Sequence, residues 1–527
     1  MPEGKMPHFN GQKNVDSLRK RYIYKLFTNL FGLGISLITM GIVPRALGPE
    51  NYGNFNFLTN FFNKVISFLD MGTSTAFCTK ISKRQKDSGL MIFYSYFIVL
   101  VITLIVMFVF ISFLTPFHKY IWPAQAKLFV VLAAVLGLLN WLLLVFGLVG
   151  DAYELTVQAE IAKVFQRTIA LAIIIVLFIN LKLNILNFFF YQIFISALLL
   201  SFVLWIIKSN GFIQSRKWLM TGSEIIKYGK EFYNYSHPLF TYALIVMGAE
   251  IADRWLLQFF GGGTQQGFFS LSFNLGAAYA VFTTAMIPLL LREFSIAHGE
   301  NDNKKLVRHF ERYGPLLFSI SAYFSCFVAI EAFKITHLFA GNQYSNAVIP
   351  IMIMAFYPIH QTYGQINGTI LFATNQTVLY RNTGVLMALI GLPITCLFIG
   401  PLNLGGLGMG ANGLAIKTVL FQFIGVNLQL YFIAKYLKIS FVKNLLHQIF
   451  VIAFMLFLAF IGKSLGEILL ASHNIILNLL LAGSLYTTIA CLTAYFFPSI
   501  MGITKEDINK FIALIVKLNP RAKGSDR

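Results

Sequence analysis

Hydrophobic residues occur along the chain in long runs with few charges, and polar residues concentrate in the short segments between them. Each run is close to the roughly 20 residues that an α-helix needs to cross a bilayer. The pattern therefore predicts an all-α polytopic membrane protein with about 14 transmembrane helices. The predicted spans are 22–44, 54–79, 90–114, 127–149, 155–180, 183–207, 237–258, 267–291, 313–334, 347–372, 378–400, 411–435, 443–463 and 473–497.

The composition agrees, because 57% of the residues are hydrophobic and only 12% are charged, against about 25% charged in soluble proteins. The net charge of +20 arises mainly from alternate loops. The basic segments are the N-terminal tail to Lys25, 80–89, 208–236, 292–312, 373–381, 435–443 and the tail from 498. The positive-inside rule then places both termini in the cytoplasm and explains the charge without nucleic-acid binding.

Two segments of the chain resemble each other. They are RALGPENYGNFNFLTN (45–60) and FFGGGTQQGFFSLSFN (259–274). Gly48 and Gly262, Gly53 and Gly267, Phe55 and Phe269, and Asn60 and Asn274 are each 214 residues apart. Each segment joins an odd span to an even one, and six spans separate them, so both have the same orientation. This pattern is typical of parallel repeats related by an axis along the membrane normal.

The repeat predicts two parallel six-helix lobes plus two C-terminal helices. The boundaries are 1–207 for the N-lobe, 208–236 for a cytoplasmic linker, 237–435 for the C-lobe, 436–497 for spans 13 and 14, and 498–527 for a cytoplasmic tail. In such transporters the cargo passes between the lobes near the middle of the membrane.

Charged residues within the spans are the candidates for function, because an intramembrane charge normally faces the bundle interior or a water-filled cavity. Lys64 lies about 15 Å into span 2, and Asp70, six residues later, is not on the same helical face. Lys64 and Lys417 have no acidic residue within one helical turn, which favours a wet cavity. We expect Asp70 and Lys64 each to find a partner on another span or in water.

Two further clusters lie in spans 5 and 7. Glu160, Lys163 and Arg167 share one face of span 5. In span 7, Glu250 and Arg254 are one turn apart and flank Asp253. These groups either neutralise each other and hold helices together, or they serve transport. Because lysine and arginine bind phosphate strongly, the excess of intramembrane cations favours an anionic cargo.

No pattern in the sequence predicts catalysis, a metal site or a cofactor. There is no G-x-x-x-x-G-K-[ST] phosphate loop, and the nine histidines lack metal-ligand spacing. The four cysteines lie within or at the ends of spans and form no C-x-x-C pair. A transporter is therefore predicted rather than an enzyme.

Three stretches resemble motifs of bacterial oligosaccharide flippases of the multidrug/oligosaccharidyl-lipid/polysaccharide exporter superfamily. They are PRALGPENYG (44–53), LDMGTSTA (69–76) and ADRWLLQFFGGGTQQGFFSLS (252–272); the later Pro288 also fits. Arg45, Asp70, Asp253 and Arg254 match motif residues, whereas Lys64, Lys163, Arg167 and Lys417 come from their depth in the membrane. The lipid II branch often has paired arginines in span 2, and the single Lys64 here counts against lipid II as cargo.

The resemblance implies a flippase that moves an undecaprenyl-diphosphate-linked oligosaccharide from the cytoplasmic to the outer leaflet of the bacterial inner membrane, for O-antigen or capsule assembly. It implies membrane lipids as partners, and possible partners are a polymerase and other glycan-assembly proteins. Arg45, Lys64, Lys163, Arg167, Arg254 and Lys417 are then the predicted substrate-binding residues. Asp70, Glu160, Glu250 and Asp253 are possible coupling sites.

Two alternatives remain open. One is a cation-coupled multidrug exporter with the same fold, which would use acidic cavity residues such as Asp70, Glu250 or Asp253. The other is a membrane glycan polymerase or ligase, against which the short outward loops argue.

Overall fold

The computed structural model of the protein describes residues 18–84, 87–210, 220–284, 286–470, 474–502 and 505, and these ranges contain helices and turns without a β-strand. The helices are α1 (Leu18–Asp70), α2 (Thr73–Lys83), α3 (Ser88–Leu114), α4 (Phe117–Ile121), α5 (Lys127–Ala152), α6 (Thr156–Ile179), α7 (Ile185–Ser209), α8 (Gly222–Ala278), α9 (Val281–Thr284), α10 (Ile287–Gly299), α11 (Asn303–Ile330), α12 (Ala332–Ala340), α13 (Val348–Met354), α14 (Tyr357–Ala373), α15 (Thr377–Ile399), α16 (Gly410–Leu437), α17 (Phe441–Leu469) and α18 (Ile475–Phe496). In the described ranges, ten helices are long and apolar enough to cross a membrane. The prediction of an all-α, multi-pass membrane protein is confirmed.

The two longest helices account for most of the difference between ten helices and about 14 spans. α1 has 53 residues and α8 has 57, or about 80 and 86 Å of helix at 1.5 Å per residue. Each is more than twice the roughly 30 Å thickness of the hydrocarbon core. Each is interrupted at one glycine in the left-handed half of φ space, Gly48 (φ 72°) or Gly262 (φ 67°), which divides the helix into two arms. α13 and α14 together occupy the predicted span 347–372.

Both helix breaks belong to the sequence repeat, because Gly48 and Gly262 are 214 residues apart. The segments that follow the two breaks touch each other. A Cβ atom on Gly53 would lie 1.8 Å from the carbonyl oxygen of Gly263, and a Cβ on Gly267 would lie 2.0 Å from that of Pro49. Pro49 and Gly263 are again 214 residues apart, so the contact is reciprocal, as across a two-fold axis. This local symmetry supports the parallel repeat.

By their contacts, the residues group into two compact units: Met1–Ala46 with Leu58–Leu244, and Leu47–Phe57 with Ile245–Arg527. In the first unit α5 packs against α7 and α2. Its aromatic core includes Trp122, which stacks on Phe62 at 5.7 Å and meets Phe61 edge-on at 5.8 Å between ring centroids.

The second unit contains α17 and α18, the two helices predicted as an addition to the repeat. α17 packs against α18 and α11, and α16 packs against α14 and α15. Tyr363 lies at the centre of this unit, with Phe310 and Phe318 nearly perpendicular to its ring. The predicted lobe boundaries remain predictions.

Candidate functional site

Asp70 is the last residue of α1 and caps the next helix. Met71 (φ 44°) and Gly72 (φ 76°) break the chain direction, and α2 then begins at Thr73. The carboxylate of Asp70 accepts hydrogen bonds from the Thr73 hydroxyl (3.1 Å), the Ser74 amide (3.2 Å) and the Ser74 hydroxyl (2.9 Å). A side-chain acceptor at this place satisfies amides that the first helical turn leaves without partners.

Asp70 also has the partner on another span that we predicted. The indole nitrogen of Trp141, in α5, donates to Asp70 Oδ1 at 3.1 Å, and Asp70 is only 6% exposed. The carboxylate is therefore surrounded by neutral donors that hold α1, α2 and α5 together.

Glu160 and Lys163 in α6 form the ion pair that their spacing predicted, with 2.7 Å between Nζ and Oε1. The Glu160 side chain is 3% exposed and that of Lys163 is 35% exposed. The buried carboxylate is thus neutralised, and the half-buried ammonium keeps access to its surroundings.

Arg167, one turn further along α6, binds the backbone of α1. Its guanidinium donates to the carbonyl oxygen of Thr28 and lies against Gly32, where an added Cβ would come within 1.9 Å of a guanidinium nitrogen. Gly32 therefore provides the room that this contact needs. Arg167 fastens α6 to α1.

Arg254 in α8 bridges the break at Gly262. It donates to Gln266 Oε1 and Ser270 Oγ, both at 3.1 Å, and its guanidinium lies 4.3 Å from the ring centroid of Phe269. The Gln266 amide returns a hydrogen bond to the Arg254 carbonyl at 2.6 Å. Arg254 thereby fixes the two arms of α8 relative to each other.

Asp253 and Lys417 form an ion pair that local sequence patterns did not predict. Lys417 Nζ in α16 lies 2.5 Å from Asp253 Oδ2 in α8. The Thr395 hydroxyl in α15 donates to Asp253 Oδ1 at 2.7 Å. The two charged side chains are 10% and 15% exposed, so this is a largely buried salt bridge joining three helices. Lys417, for which we expected wet surroundings, is instead neutralised by a carboxylate.

The three remaining predicted residues lie on α1 and α8. Lys64 is half-buried in α1, six residues before Asp70, and Arg45 is exposed three residues before Gly48. Glu250 is exposed in α8. Among the described residues, no group of three or more His, Cys, Asp or Glu is arranged to hold a metal ion.

Sequence reasoning missed the neutral polar residues around the two helix breaks. Gln258 donates to Asn54 at 3.2 Å, Asn274 donates to the Tyr52 hydroxyl at 2.9 Å, and Gln265 accepts from the Ala411 amide at 2.8 Å. Amides within apolar runs are the signal that identifies such positions, since a polar group in hydrocarbon needs a partner.

Residues 18–294, more than half of the chain, match the family described as polysaccharide biosynthesis protein. The chain belongs to this family. It is also similar in structure to the lipid II flippase MurJ in an inward closed conformation, with a TM-score of 0.65 at 15% identity over 90% of this chain and 98% of that one.

Other solved structures share the fold. An inward-facing multidrug resistance MATE family transporter of the MOP superfamily gives a TM-score of 0.57 at 16% identity over 79% of this chain and 98% of that one. A MOP superfamily transporter from Pyrococcus furiosus gives a TM-score of 0.53 at 15% identity, over 82% of this chain and 99% of that one. No curated protein sequence matches the chain. The protein thus has the fold of MOP-superfamily flippases and exporters.

Proposed function

We propose that the protein flips an undecaprenyl-diphosphate-linked oligosaccharide repeat unit from the cytoplasmic to the outer leaflet of the bacterial inner membrane by alternating access. The repeat unit then serves O-antigen or capsular polysaccharide assembly. The observation that carries this proposal is the membership of residues 18–294 in a polysaccharide biosynthesis family together with a transporter fold.

The extent of the structural match favours a flippase over a drug exporter. The MurJ match covers 90% of the chain and the MATE match 79%, a difference of about 58 of 527 residues. α17 and α18 together span Phe441–Phe496, which is nearly the same length. The match in size suggests that these two helices belong to the MurJ-type architecture, which supports a lipid-linked cargo.

The intramembrane cations supply a chemical reason for a diphosphate cargo. Lys64 and Lys163 are half-buried rather than enclosed, and a lysine ammonium binds phosphate as a point charge. We propose Lys64 as the main attraction for the diphosphate, with Arg45, Arg167 and the Glu160-paired Lys163 contributing. Arg254 and Lys417 are engaged by Gln266, Ser270 and Asp253 and contribute less.

The basic loops support cytoplasmic termini, and we propose that transport runs outward from that side. We propose that a polymerase and other glycan-assembly proteins use the repeat unit once it has reached the outer leaflet. Asp70, Glu160 and Glu250 are the proposed coupling positions, and Asp253, which is paired with Lys417, is the fourth acidic residue to test.

Deletion of the gene in its native host tests the function. We expect loss of surface polysaccharide, accumulation of the lipid-linked repeat unit in the cytoplasmic leaflet, and unchanged sensitivity to cationic drugs. A strain with normal surface polysaccharide and increased drug accumulation contradicts the flippase proposal and supports the multidrug exporter.

A further inference from the structure

The carboxylate of Asp253 is paired with a cationic side chain of the same protein, Lys417. Its two oxygens are occupied by different partners: Oδ2 by the Lys417 ammonium at 2.5 Å and Oδ1 by the Thr395 hydroxyl at 2.7 Å. The three groups come from α8, α16 and α15, so the arrangement exists only when these helices are packed together.

The surroundings are shaped to hold the ammonium. A Cβ atom on Gly391 would lie 3.0 Å from Lys417 Cε and 3.3 Å from Nζ, so the missing side chain of this glycine leaves space for the lysine. The Phe421 ring centroid lies 5.8 Å from the ammonium. The pocket is therefore built around a cation of fixed position.

A carboxylate in such a position needs positive charge nearby. Removing one partner of a buried ion pair leaves an uncompensated charge, which is strongly unfavourable. Hard cations are bound in proteins by carboxylate, hydroxyl, carbonyl and water oxygens, and Asp253 with Thr395 offers the first two.

We propose that Lys417 is a tethered counter-cation that fills a monovalent-cation site at Asp253. In the native protein the ammonium excludes Na⁺ from this carboxylate, so transport is not coupled to cations through Asp253. When the ammonium is removed, Asp253 and Thr395 take up a hard monovalent cation in its place. This inference concerns coupling, and it is independent of the cargo in the proposed function.

Two further charged groups, Glu250 and Arg254, lie close to Asp253 on its own helix. Arg254 interacts electrostatically with both Asp253 and Glu250, and its guanidinium is also hydrogen-bonded to Gln266 and Ser270. The ammonium of Lys417 comes from α16 and contacts the carboxylate directly. Replacing Lys417 therefore changes the balance at Asp253 more than any other single substitution nearby.

Thermal unfolding of the purified full-length protein tests the inference without cargo. Melting temperatures are measured at constant ionic strength and pH 7.5 while NaCl replaces N-methyl-D-glucamine chloride. We expect no sodium dependence for the native protein or for Lys417→Arg. For Lys417→Ala we expect a saturable rise of at least about 2 °C, since a ligand that binds only the folded state raises its stability.

The double variant Asp253→Asn with Lys417→Ala is the matched control. It has no net change in charge at the site, and we expect its melting temperature to be independent of sodium. If Lys417→Ala shows no sodium dependence, the inference is wrong. It is also wrong if the native protein shows a dependence that Asp253→Asn removes.

The folding of the single variant is itself informative. If Lys417→Ala is recovered only from sodium-containing buffers while the double variant is recovered from any buffer, the inference is supported. If Lys417→Ala cannot be recovered in either buffer and the double variant can, the site cannot accept a free cation and the inference fails. Loss of glycan export in any of these variants bears on the proposed function and not on this test.

Discussion

Asp70 shows at the scale of one residue how an acid is accommodated inside the membrane. Its carboxylate accepts hydrogen bonds from Thr73, Ser74 and Trp141. If the side chain were removed, all three donors would lose their acceptor at once. A buried donor left unsatisfied costs about 1–3 kcal/mol. Asp70 is therefore as much a structural residue as a candidate for coupling.

We expect Asp70→Asn to lower stability by about 1–3 kcal/mol, because an amide nitrogen cannot accept a hydrogen bond. At the Oδ2 position it loses the Ser74 hydroxyl, and at the Oδ1 position it loses the Ser74 amide and Trp141. Thermal unfolding of the purified variant measures this change. Glu300→Gln, at a side chain that is 57% exposed, is a control with little expected effect. Unchanged stability of Asp70→Asn combined with lost transport would instead assign Asp70 to the transport cycle.

Residue positions were predictable where the decisive contact is local. The three-residue spacing of Glu160 and Lys163 predicts their ion pair, whereas the break at Met71 and Gly72 falls inside the predicted span 54–79 and was not predicted. Asp253 and Lys417 are 164 residues apart, so no local pattern connects them. Their pairing follows from how α8, α15 and α16 pack, which hydrophobic periodicity does not determine.

At the scale of helices, the contact between the two repeat segments depends on backbone approach. Gly53 faces the Gly263 carbonyl oxygen and Gly267 faces that of Pro49. Backbone atoms cannot rotate away as a side chain does, so even a methyl group at either glycine forces the helices apart. Small residues allow such close crossing of helices within membranes.

We expect Gly53→Ala to destabilise the protein by about 2 kcal/mol or more, since overpacking a tight contact typically costs 1–3 kcal/mol. Gly34→Ala in the same α1 helix is the matched control, because an added Cβ there meets no atom within 4 Å. Alanine in an open helical position stabilises by about 0.5–1 kcal/mol. Equal melting temperatures for the two variants would show that the close contact is absent in the folded protein.

The first turns of α8 are fastened to the first unit by polar contacts outside the membrane-spanning segments. Glu231 accepts from Lys80 at 2.8 Å and from Arg84. The Tyr228 hydroxyl donates to Asp87 at 2.8 Å, and burial together with this hydrogen bond raises the pKa of Tyr228 to about 12. Phe232 stacks on Phe93 at 5.4 Å.

The hydrogen bond from Lys80 holds the pKa of Glu231 below its ordinary value of 4.5. A group whose pKa is lower in the folded state stabilises above its unfolded pKa, and this contribution is lost as the pH falls through the folded pKa. We expect Glu231→Gln to lower stability at pH 7 by about 1 kcal/mol or less, because the pair is partly exposed. The difference between the melting temperatures of the two proteins should shrink as the pH falls below 4.5; a constant difference down to pH 3 would contradict the prediction.

The sequence predicts correctly that the chain is helical, but it does not predict where one helix continues into the next. Hydropathy separates span 1 from span 2 and span 7 from span 8, yet the backbone continues through each pair as α1 or α8, with one non-helical residue in each helix. A single glycine changes the direction of the chain without a loop, and a hydropathy pattern records only the polar residues near it. The predicted span 347–372 is divided at Ala355 and Phe356 into α13 and α14.

At the scale of the whole molecule, the two halves share their helix breaks but not their charges. With the offset of 214, Lys64 and Asp70 correspond to Ala278 and Thr284, and Asp253 and Arg254 correspond to Thr39 and Met40. The repeat therefore accounts for the helix breaks, whereas these four charged residues have no charged counterpart in the other half. Sequence reasoning predicts the symmetric part of the molecule better than its function, because only the symmetric part is repeated.

This asymmetry makes Lys64 the cation of the first half whose role in transport can be tested most directly. It is half-buried and lies about 24 Å along the second arm of α1, counted from the break at Gly48. At an intermediate dielectric, an ammonium about 4 Å from a phosphate oxygen contributes roughly 4 kcal/mol before desolvation is subtracted. An anion at the same position would repel the diphosphate by a similar amount.

We expect Lys64→Glu to abolish surface polysaccharide while the protein inserts at normal abundance. Lys64→Arg should retain much of the export because the charge is kept, and Lys64→Ala should be intermediate because Lys163 and Arg167 remain. Surface polysaccharide and membrane abundance are measured together in a complemented deletion strain. Lys127→Glu is the matched control, since Lys127 is exposed at the start of α5, where an acid is favourable to the helix. Normal polysaccharide in Lys64→Glu would show that Lys64 does not attract the cargo.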